Sequence, residues 1–259
     1  MPACRVCPYF ASDSSCTAQE KAFEVLARPL PPPPLGPCII PITDGYLAQI
    51  GPGMRILDVG CGTYRAIRSY CQTVGAEYEG IDIGTTYFGK PVVATRIENL
   101  ADLSFPDEWF DMVIGNQTME HWAESGCSLR WGLYQCFRVC KPNGRVLMNV
   151  PIHFHGTREF LLGRTEAIRR YFGEFSSTVR FDAWGVPSTP IPPLVYFPWY
   201  MPHLSKPAFI LDIQATKDKP LPAGVKRGFR ATGRLAELWN YPVSYNMHRV
   251  VRKAVGRRS

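Results

Sequence analysis

The middle of the chain alternates short apolar runs with segments whose apolar residues recur at helical spacing. Residues 55–59 form an apolar run that leads into glycines, which is typical of a buried parallel strand. Further strands are predicted at residues 78–83, 92–97, 110–115, 145–150, 178–184 and 208–214. Helices are predicted at residues 64–72, 129–139 and 165–175, and a turn at residues 141–144. This alternation predicts an α/β fold with a doubly wound, mostly parallel sheet that is covered on both faces.

The beginning of the chain has a different texture. Four consecutive prolines at residues 31–34 remove backbone donors and favour extended chain. The 259-residue chain as a whole, with 46% hydrophobic and 20% charged residues, has the composition of a globular protein. We therefore expect an irregular Cys- and Pro-rich lead-in over residues 1–44, one folded domain over residues 45–217 and a basic tail over residues 218–259.

The sequence predicts neither a membrane span nor a secretory signal. No apolar run approaches the length of about 18 residues that a transmembrane helix needs. The first residues lack the positive start and the continuous apolar stretch of a signal peptide. The nine cysteines are expected to be mostly reduced and buried. We therefore expect a soluble cytoplasmic protein.

Positive charge is concentrated at the end of the chain. Residues 226–259 contain nine Lys and Arg against the single acid Glu237, whereas the formal charge of the whole chain is +7. A solvated basic face is the ordinary interpretation. The apolar stripe among the cations of residues 247–255 also fits peripheral contact with an anionic membrane surface. Contact with RNA is the third alternative.

The residues with the clearest chemistry lie where two predicted strands end. Asp58 is followed by Gly60 and Gly62, which let a ligand approach the backbone closely. Asp82 ends the second strand, 22 residues after Gly60, where a carboxylate accepts hydrogen bonds from ribose hydroxyls. Because ligands of doubly wound sheets bind beyond the carboxyl ends of the strands, this pattern predicts a site for a nucleoside-bearing cofactor.

The charge beside the glycine loop indicates which cofactor this is. A dinucleotide site needs a small residue where this chain has Arg65, and it has little use for a carboxylate at Asp58 near a pyrophosphate. S-adenosyl-L-methionine has no phosphate and carries a sulfonium and an ammonium group, which a carboxylate attracts. The loop therefore favours S-adenosyl-L-methionine.

Five segments resemble, in order, the motifs of class I methyltransferases. Residues 56–62 (ILDVGCG) resemble the first motif of this family, and residues 80–83 (GIDI) resemble the second. Residues 103–114 (LSFPDEWFDMVI), 117–121 (QTMEH) and 140–147 (CKPNGRVL) are similar to segments of its ubiquinone-type, or type 11, group. The resemblance implies a Rossmann-like sheet of seven strands, mostly parallel, of which the last is antiparallel.

The resemblance also implies which residues hold the cofactor. The positions that match the family's donor-binding motifs are Asp58, Gly60, Cys61, Gly62, Asp82, Ile83, Asn99, Leu100, Asn116 and Gln117. Asp82 is expected at the ribose, Ile83 against the adenine, and Asn99 with Leu100 at the adenine edge. Asn116 and Gln117 are expected on the methyl-donor side. Tyr64 departs from the family pattern, which has a third glycine there.

Three histidines compete for a catalytic role. His121 follows the fourth strand, where the alternatives are a helix-start residue that packs and a general base that removes a proton from the acceptor. His153 and His155 follow the fifth strand at the same edge and are rivals for that role. A sulfonium donor is already activated, so alignment without a strong base is a further alternative.

Two other segments carry weaker signals. Cys4 and Cys7, together with Cys16 and Cys38, lack a second close Cys or His pair, so reduced cysteines are favoured over a zinc site and no metal is expected. The aromatic residues 195–200 precede the last strand and are either packed loop or a cover for the active site.

The sequence leaves the methyl acceptor open. Residues 151–165, with residues 182–185, loosely resemble methyltransferases of bacterial surface-polysaccharide pathways, which favours a small-molecule or glycan acceptor. An RNA methyltransferase that uses the basic tail is one alternative. A cofactor-binding pseudoenzyme that acts as a partner protein is another. The oligomeric state is not predicted.

Overall fold

The computed structural model describes residues 40–87, 89–152, 157–161, 163–185 and 209–225. Its strands are β1 (Arg55–Val59), β2 (Glu77–Asp82), β3 (Thr86–Tyr87), β4 (Lys90–Pro91), β5 (Arg96–Ile97), β6 (Phe110–Asn116), β7 (Cys140–Ile152), β8 (Val179–Gly185) and β9 (Phe209–Thr216). Its helices are α1 (Ile40–Leu47), α2 (Ala66–Val74), α3 (Leu129–Val139), α4 (Arg158–Leu161) and α5 (Thr165–Gly173), with short 3-10 helices η1 (Leu100–Asp102) and η2 (Met119–Ser125).

Seven strands form one sheet in the order β5-β2-β1-β6-β7-β9-β8. The first five strands of this order run parallel, and β9 runs antiparallel to both of its neighbours, β7 and β8. Strands β3 and β4 form a separate antiparallel pair. The predicted fold is therefore confirmed: a doubly wound, mostly parallel sheet of seven strands whose last strand is antiparallel.

Alternate side chains of the central strands enter two different apolar layers. Helices α1 and α2 cover one face, where Ile56, Ile114 and Leu147 are buried. Helices α3 and α5 cover the other face, where Leu57 and Val113 are buried. A strand buried on both faces reads as a continuous apolar run, which explains why the sequence predicted these strands well.

Helix α1 places the beginning of the described chain against the sheet. Ile42 and Tyr46 are almost completely buried in the layer that also contains Ile56 and Ile114. The expected boundary between residues 44 and 45 falls inside this helix. The division of the chain into a lead-in, a domain and a tail stays a prediction.

The predicted third strand is much shorter than expected. Only Arg96 and Ile97 pair with β2, because the Thr95 hydroxyl accepts from the N–H of Gly80, whose carbonyl accepts from the Thr95 N–H. The preceding N–H of Val93 donates to the carbonyl of Gly62, over 2.7 Å. Val93 therefore binds the glycine loop, and the N–H of Val92 donates to the carbonyl of Thr85, so that neither residue extends the sheet.

The predicted turn at residues 141–144 is an irregularity inside β7. The pairing of β7 with β6 shifts between Phe110 and Met112, so that a longer stretch of β7 lies opposite a shorter stretch of β6. Asn143 has a φ of +61°, and its N–H donates to the carbonyl of Lys217. The residues typical of turns therefore bend a continuous strand here.

None of the helices in the described residues combines the length and the apolar character needed to cross a bilayer.

The left-handed backbone at Asn143 generates the first prediction. Asn143→Val is expected to lower the free energy of unfolding by about 1–2 kcal/mol, because a β-branched residue is strained at positive φ. Asn143→Gly is the matched control and should leave that free energy nearly unchanged. Urea unfolding followed by circular dichroism measures both variants, and equal losses in the two would contradict the assignment of strain to this position.

Candidate functional site

The loop after β1 is folded back onto the end of β2. The N–H groups of Gly60 and Cys61 donate to the carbonyl of Ile81, over 2.9 and 3.1 Å. The N–H of Gly62 donates to the Asp82 carboxylate over 2.9 Å. Gly60 and Gly62 have φ values of +66° and +52°, a region that only glycine enters freely. The predicted cofactor loop and the predicted ribose residue therefore lie in direct contact.

Gly60 must also lack a side chain because there is no space for one. A Cβ atom at this position would overlap the Oγ1 and Cβ atoms of Thr118, which follows β6. The end of β1 and the residues after β6 are therefore in contact across the edge of the sheet. Thr118 was not identified from the sequence, since nothing in its local pattern shows that it faces Gly60.

Asp82 and Ile83 present different chemistry at the end of β2. One oxygen of the Asp82 carboxylate accepts from the N–H of Ile83 over 2.8 Å, and the other accepts from the N–H of Gly62. The Ile83 side chain is 61% exposed, which is unusual for a large aliphatic residue in this protein. An exposed apolar surface beside a carboxylate suits a ligand that combines an aromatic base with a sugar.

Asp58 lies beneath this loop, buried in the layer under α1 and α2. Burial raises its pKa from the ordinary value to about 7, against the opposing effect of a hydrogen bond from Tyr78, and Asp82 raises it further. The Tyr78 hydroxyl donates to Asp58 over 3.0 Å. Tyr78 reaches Asp58 across Gly80, where a Cβ atom would overlap the tyrosine hydroxyl. Gly80 is the residue that pairs with Asp58 between β1 and β2.

This arrangement places a carboxyl that a nearby cation can ionise next to the cofactor loop. A cation that binds near a buried carboxyl with a pKa near 7 strongly stabilises the charged form of that carboxyl. The cationic methyl donor that the sequence favours fits this environment, whereas an anionic pyrophosphate does not. Tyr78 was not identified from the sequence, because its contact with Asp58 depends on the absence of a side chain at Gly80, two positions later on the same face of the sheet.

Cys61 contributes its backbone to the loop. Burial raises the pKa of its thiol, with Asp58 and Asp82 as further causes, so a reactive thiolate is disfavoured. Cys71, Cys127, Cys136 and Cys140 are likewise buried, free thiols. No group of three or more His, Cys, Asp or Glu side chains in the described residues is arranged to hold a metal ion.

Asn99 and Leu100 lie at the start of η1. The Asn99 side-chain oxygen accepts from the N–H of Ala101 over 2.8 Å, and its amide nitrogen donates to the carbonyl of Ser125 over 3.0 Å. The Leu100 side chain is buried in the core. This second bond requires the Asn99 amide, because an ionised carboxylate has no donor for Ser125. The expected role of Asn99 and Leu100 at the adenine edge stays a prediction.

Asn116 and Gln117 lie at the end of β6, and both side chains are 6% exposed. Asn116 Oδ1 accepts from the Asn149 amide over 2.5 Å, and the N–H of Gln117 donates to the carbonyl of Asn149 over 3.0 Å. Among the described residues, neither Asn116 Nδ2 nor Asn149 Oδ1 has a hydrogen-bond partner. Buried polar atoms without partners at a ligand-binding edge suggest groups reserved for a ligand.

His121 lies in the first turn of η2, at the same edge. Its side chain is 20% exposed, and its Nε2 atom lies 3.7 Å from the carboxylate of Glu120, which is fully buried. Glu120 belongs to the quoted motif but was given no role from the sequence. His153 and His155, the four lead-in cysteines, the aromatic residues 195–200 and the tail after residue 225 lie outside the described residues.

The comparisons with known proteins agree with this geometry. Residues 57–148 match the family model described as a methyltransferase domain. The chain is 32% identical over 115 residues to a sterol 24-C-methyltransferase (ERG6B) of Gibberella zeae, which covers 39% of this chain and 29% of the relative. It is 33% identical over 110 residues to a probable S-adenosylmethionine-dependent methyltransferase of Mycolicibacterium smegmatis, over 40% of this chain and 41% of the relative.

The structure is also similar to the crystal structure of the YcgJ protein from Bacillus subtilis, with a TM-score of 0.48 and 16% sequence identity. The similar region covers 68% of this chain and 96% of the YcgJ chain. The chain spans well under half the length of the two curated relatives that it matches.

The strand order, with a glycine loop after β1 and an acid at the end of β2, defines the class I methyltransferase fold. Residues 57–148 of the chain form a methyltransferase domain of this class. The methyl donor of this family is S-adenosyl-L-methionine.

The raised pKa of Asp58 generates a prediction with a defined sign. Because the folded-state pKa lies above the ordinary value of 3.8, this group favours the folded state below about pH 4, and that contribution is lost as the pH rises to about 7. Asp58→Asn removes this pH dependence. The free energy of unfolding of the variant, relative to that of the natural protein, should therefore increase from pH 5 to pH 8 by a few kcal/mol at most. Thermal unfolding at several pH values measures this difference.

Asp111→Asn is the matched control for Asp58→Asn. Burial alone would raise the Asp111 pKa, but the N–H of Arg55 and the Lys141 ammonium group lower it. Because a lowered pKa affects stability only below about pH 4, the relative stability of this variant should stay nearly constant from pH 5 to pH 8. Relative stabilities that follow the same pH trend in both variants would show that Asp58 is not the group responsible.

Gly60→Ala is expected to disrupt the loop more than backbone strain alone does. The control is Gly53→Ala, since Gly53 has a φ of +73° but nothing within 4 Å of a Cβ atom. Strain alone costs about 1–2 kcal/mol in either variant. Gly60→Ala should cost more and weaken binding of S-adenosyl-L-methionine at least about tenfold, as measured by calorimetry. Equal behaviour of the two variants would argue against the contact with Thr118.

Proposed function

We propose that this chain transfers the methyl group of S-adenosyl-L-methionine to a small-molecule or glycan acceptor and releases S-adenosylhomocysteine. The observation that carries the proposal is the contact between the loop at Gly60 to Gly62 and Asp82, above the buried Asp58 carboxyl. These groups provide a close approach to backbone, acceptors for ribose hydroxyls and a negative charge for a cation.

The donor would be held along the ends of β1, β2 and β6. Gly60, Cys61, Gly62 and Asp58 would lie along its methionyl part, and Asn116 with Gln117 would line the side from which the methyl group leaves. Asp82 would hold the ribose, Ile83 would contact the adenine, and Asn99 with Leu100 would lie at its edge. The exposure of Ile83 and the amide nitrogen of Asn116, which has no hydrogen-bond partner among the described residues, support this arrangement.

The acceptor side would lie beyond β6 and β7, near η2. The relatives named as sterol methyltransferases support a small-molecule acceptor. The loose resemblance of residues 151–165 to polysaccharide-pathway enzymes supports a glycan. Within the part of the chain that the structure describes, the buried polar side chains at this edge include the amides of Asn116, Gln117 and Asn149, and both acceptors fit such a surface.

When bound, S-adenosyl-L-methionine supplies a methyl group whose bond to sulfur breaks as the bond to the acceptor forms, leaving a neutral thioether. The positive charge of the donor disappears in this step, so the buried surroundings of Asn116 and Gln117 favour it by excluding water. The main task of the protein is then to align donor and acceptor. His121, held beside the buried Glu120, is the candidate base for a proton that leaves an acceptor hydroxyl.

A methyl-label screen tests the proposed function. Labelled S-adenosyl-L-methionine and the full chain are incubated with cell extracts that have been separated into lipid, glycan, small-molecule and RNA pools. We expect label in the lipid, glycan or small-molecule pool, and none with Asp82→Ala, while the exposed Asp44→Ala serves as the active control. Label in RNA alone would favour the RNA alternative. Donor binding without transfer to any pool would favour a pseudoenzyme.

A general-base role of His121 makes a separate prediction. With an acceptor found in the screen, His121→Gln should lower kcat by about 10²-fold or more and leave the KM for S-adenosyl-L-methionine nearly unchanged. The loss should be smaller at high pH, where hydroxide removes the proton. An unchanged kcat would exclude the base role and leave alignment as the source of the rate. Steady-state kinetics over a range of pH values provides the measurement.

A further inference from the structure

A row of polar side chains crosses four strands beneath helix α1. Asn116 on β6 pairs with Asn149 on β7, Asn149 pairs with Asp212 on β9, and Asp212 pairs with Asp182 on β8. Residues that pair between adjacent strands point to the same face of a sheet. We call these four residues the polar row.

Tyr46 of α1 connects the members of the polar row. Its hydroxyl donates to Asp212 Oδ1 over 2.6 Å. Burial and Asp212 raise the pKa of this hydroxyl, and the neighbouring Asn149 side chain opposes that rise. Asn149 in turn donates to Asn116 Oδ1 over 2.5 Å. A continuous series of polar contacts therefore runs from Asp212 through Tyr46 and Asn149 to Asn116.

Stability alone does not explain this arrangement. Asn149 and Tyr46 are completely buried, and Asp212 is 3% exposed. Desolvation raises the pKa of the Asp212 carboxyl, against hydrogen bonds from Tyr46 and Gln214, so its charged form is costly at this position. Apolar residues of similar size are often at least as stabilising as buried polar groups of this kind. Perturbed, buried polar networks occur preferentially at functional sites.

The polar row ends at the candidate donor site. Asn116 is the last residue of β6, two residues before Thr118, which contacts Gly60. Its Oδ1 atom is occupied by Asn149, and this fixes the direction of its Nδ2 atom, which has no partner among the described residues. Asn149 in turn lies beside the Tyr46 hydroxyl. The orientation of the Asn116 amide N–H group, a hydrogen-bond donor at the site, thus depends on Asp212, which is two strands away, and on Tyr46 of helix α1.

We propose that Tyr46 and Asp212 are positioning residues that, through Asn149, hold the amide of Asn116 in the orientation that binds the methyl donor. This inference rests on the proposed function, because it assumes that the donor lies at the end of β6. Tyr46 and Asp212 act through Asn149 and Asn116 and do not touch the donor themselves.

A double-mutant cycle tests the coupling. Calorimetry measures the Kd of S-adenosyl-L-methionine for the full chain, for Tyr46→Phe, for Asn116→Ala and for the double variant. Loss of one well-placed hydrogen bond is expected to weaken binding about tenfold in each single variant. If Tyr46 acts through Asn116, the double variant should be no weaker than Asn116→Ala, whereas independent structural effects multiply.

Thr43→Val is the matched control. Thr43 is on the same helix and fully buried, and its hydroxyl has no hydrogen-bond partner among the described residues. This variant should leave the Kd unchanged. If Tyr46→Phe does not fold, Asp212→Asn takes its place in the cycle, because the amide keeps the shape of the carboxylate but not its charge.

The outcomes separate the two proposals. A natural chain that binds no S-adenosyl-L-methionine contradicts the proposed function and the coupling with it. A natural chain that binds, with an unchanged Kd in Tyr46→Phe or in Asn116→Ala, overturns the coupling alone. Effects that multiply in the double variant also overturn it. An equal Kd for the double variant and Asn116→Ala, with Thr43→Val unaffected, supports it.

Discussion

The site depends on how a buried carboxyl is kept at the end of the first strand. Asp58 lies in an apolar layer, and its hydrogen-bond donor is Tyr78 on the neighbouring strand. Tyr78 reaches it only because Gly80 leaves room on that face. The same pairing of β1 with β2 brings Ile81 to the loop N–H groups and Asp82 to Gly62. The alignment of two strands therefore determines both the shape of the loop and the charge beneath it.

A second carboxyl on the same face is held in the same way. Asp212 accepts from Tyr46 as Asp58 accepts from Tyr78, so in both pairs a neutral hydroxyl supports a buried acid. A tyrosine stabilises a carboxylate without neutralising it, unlike lysine or arginine. The layer under α1 and α2 therefore keeps an electrostatic preference for cations, which suits a sulfonium ligand better than a phosphate.

The sequence predicted the features that local pattern determines. Strands buried on both faces are apolar throughout, and glycines after β1 are required by positive φ, so the fold was predicted correctly. Gly60 and Gly62 lie after β1 and Asp82 ends β2 as expected, and their role in binding the donor stays a prediction. Features that depend on neighbouring strands were missed. Thr95 shortens β5 by hydrogen bonds to Gly80. Asn149 in the apolar run of β7 was a visible sign of a buried polar network. Its partners could not be predicted, because they come from segments far apart in the chain.

The position of β9 has a consequence for how the domain is made. Although β9 is the last strand in the described part of the chain, it lies between β7 and β8, so β8 cannot join the sheet until β9 has been synthesised. The hydrogen bond from Tyr46 to Asp212 spans 166 residues of sequence. Contacts of such long range form late in folding. On the ribosome, the ends of β1 and β2 can therefore assemble well before the edge of the sheet beside them is complete. The nascent domain stays partly folded until β9 has been synthesised.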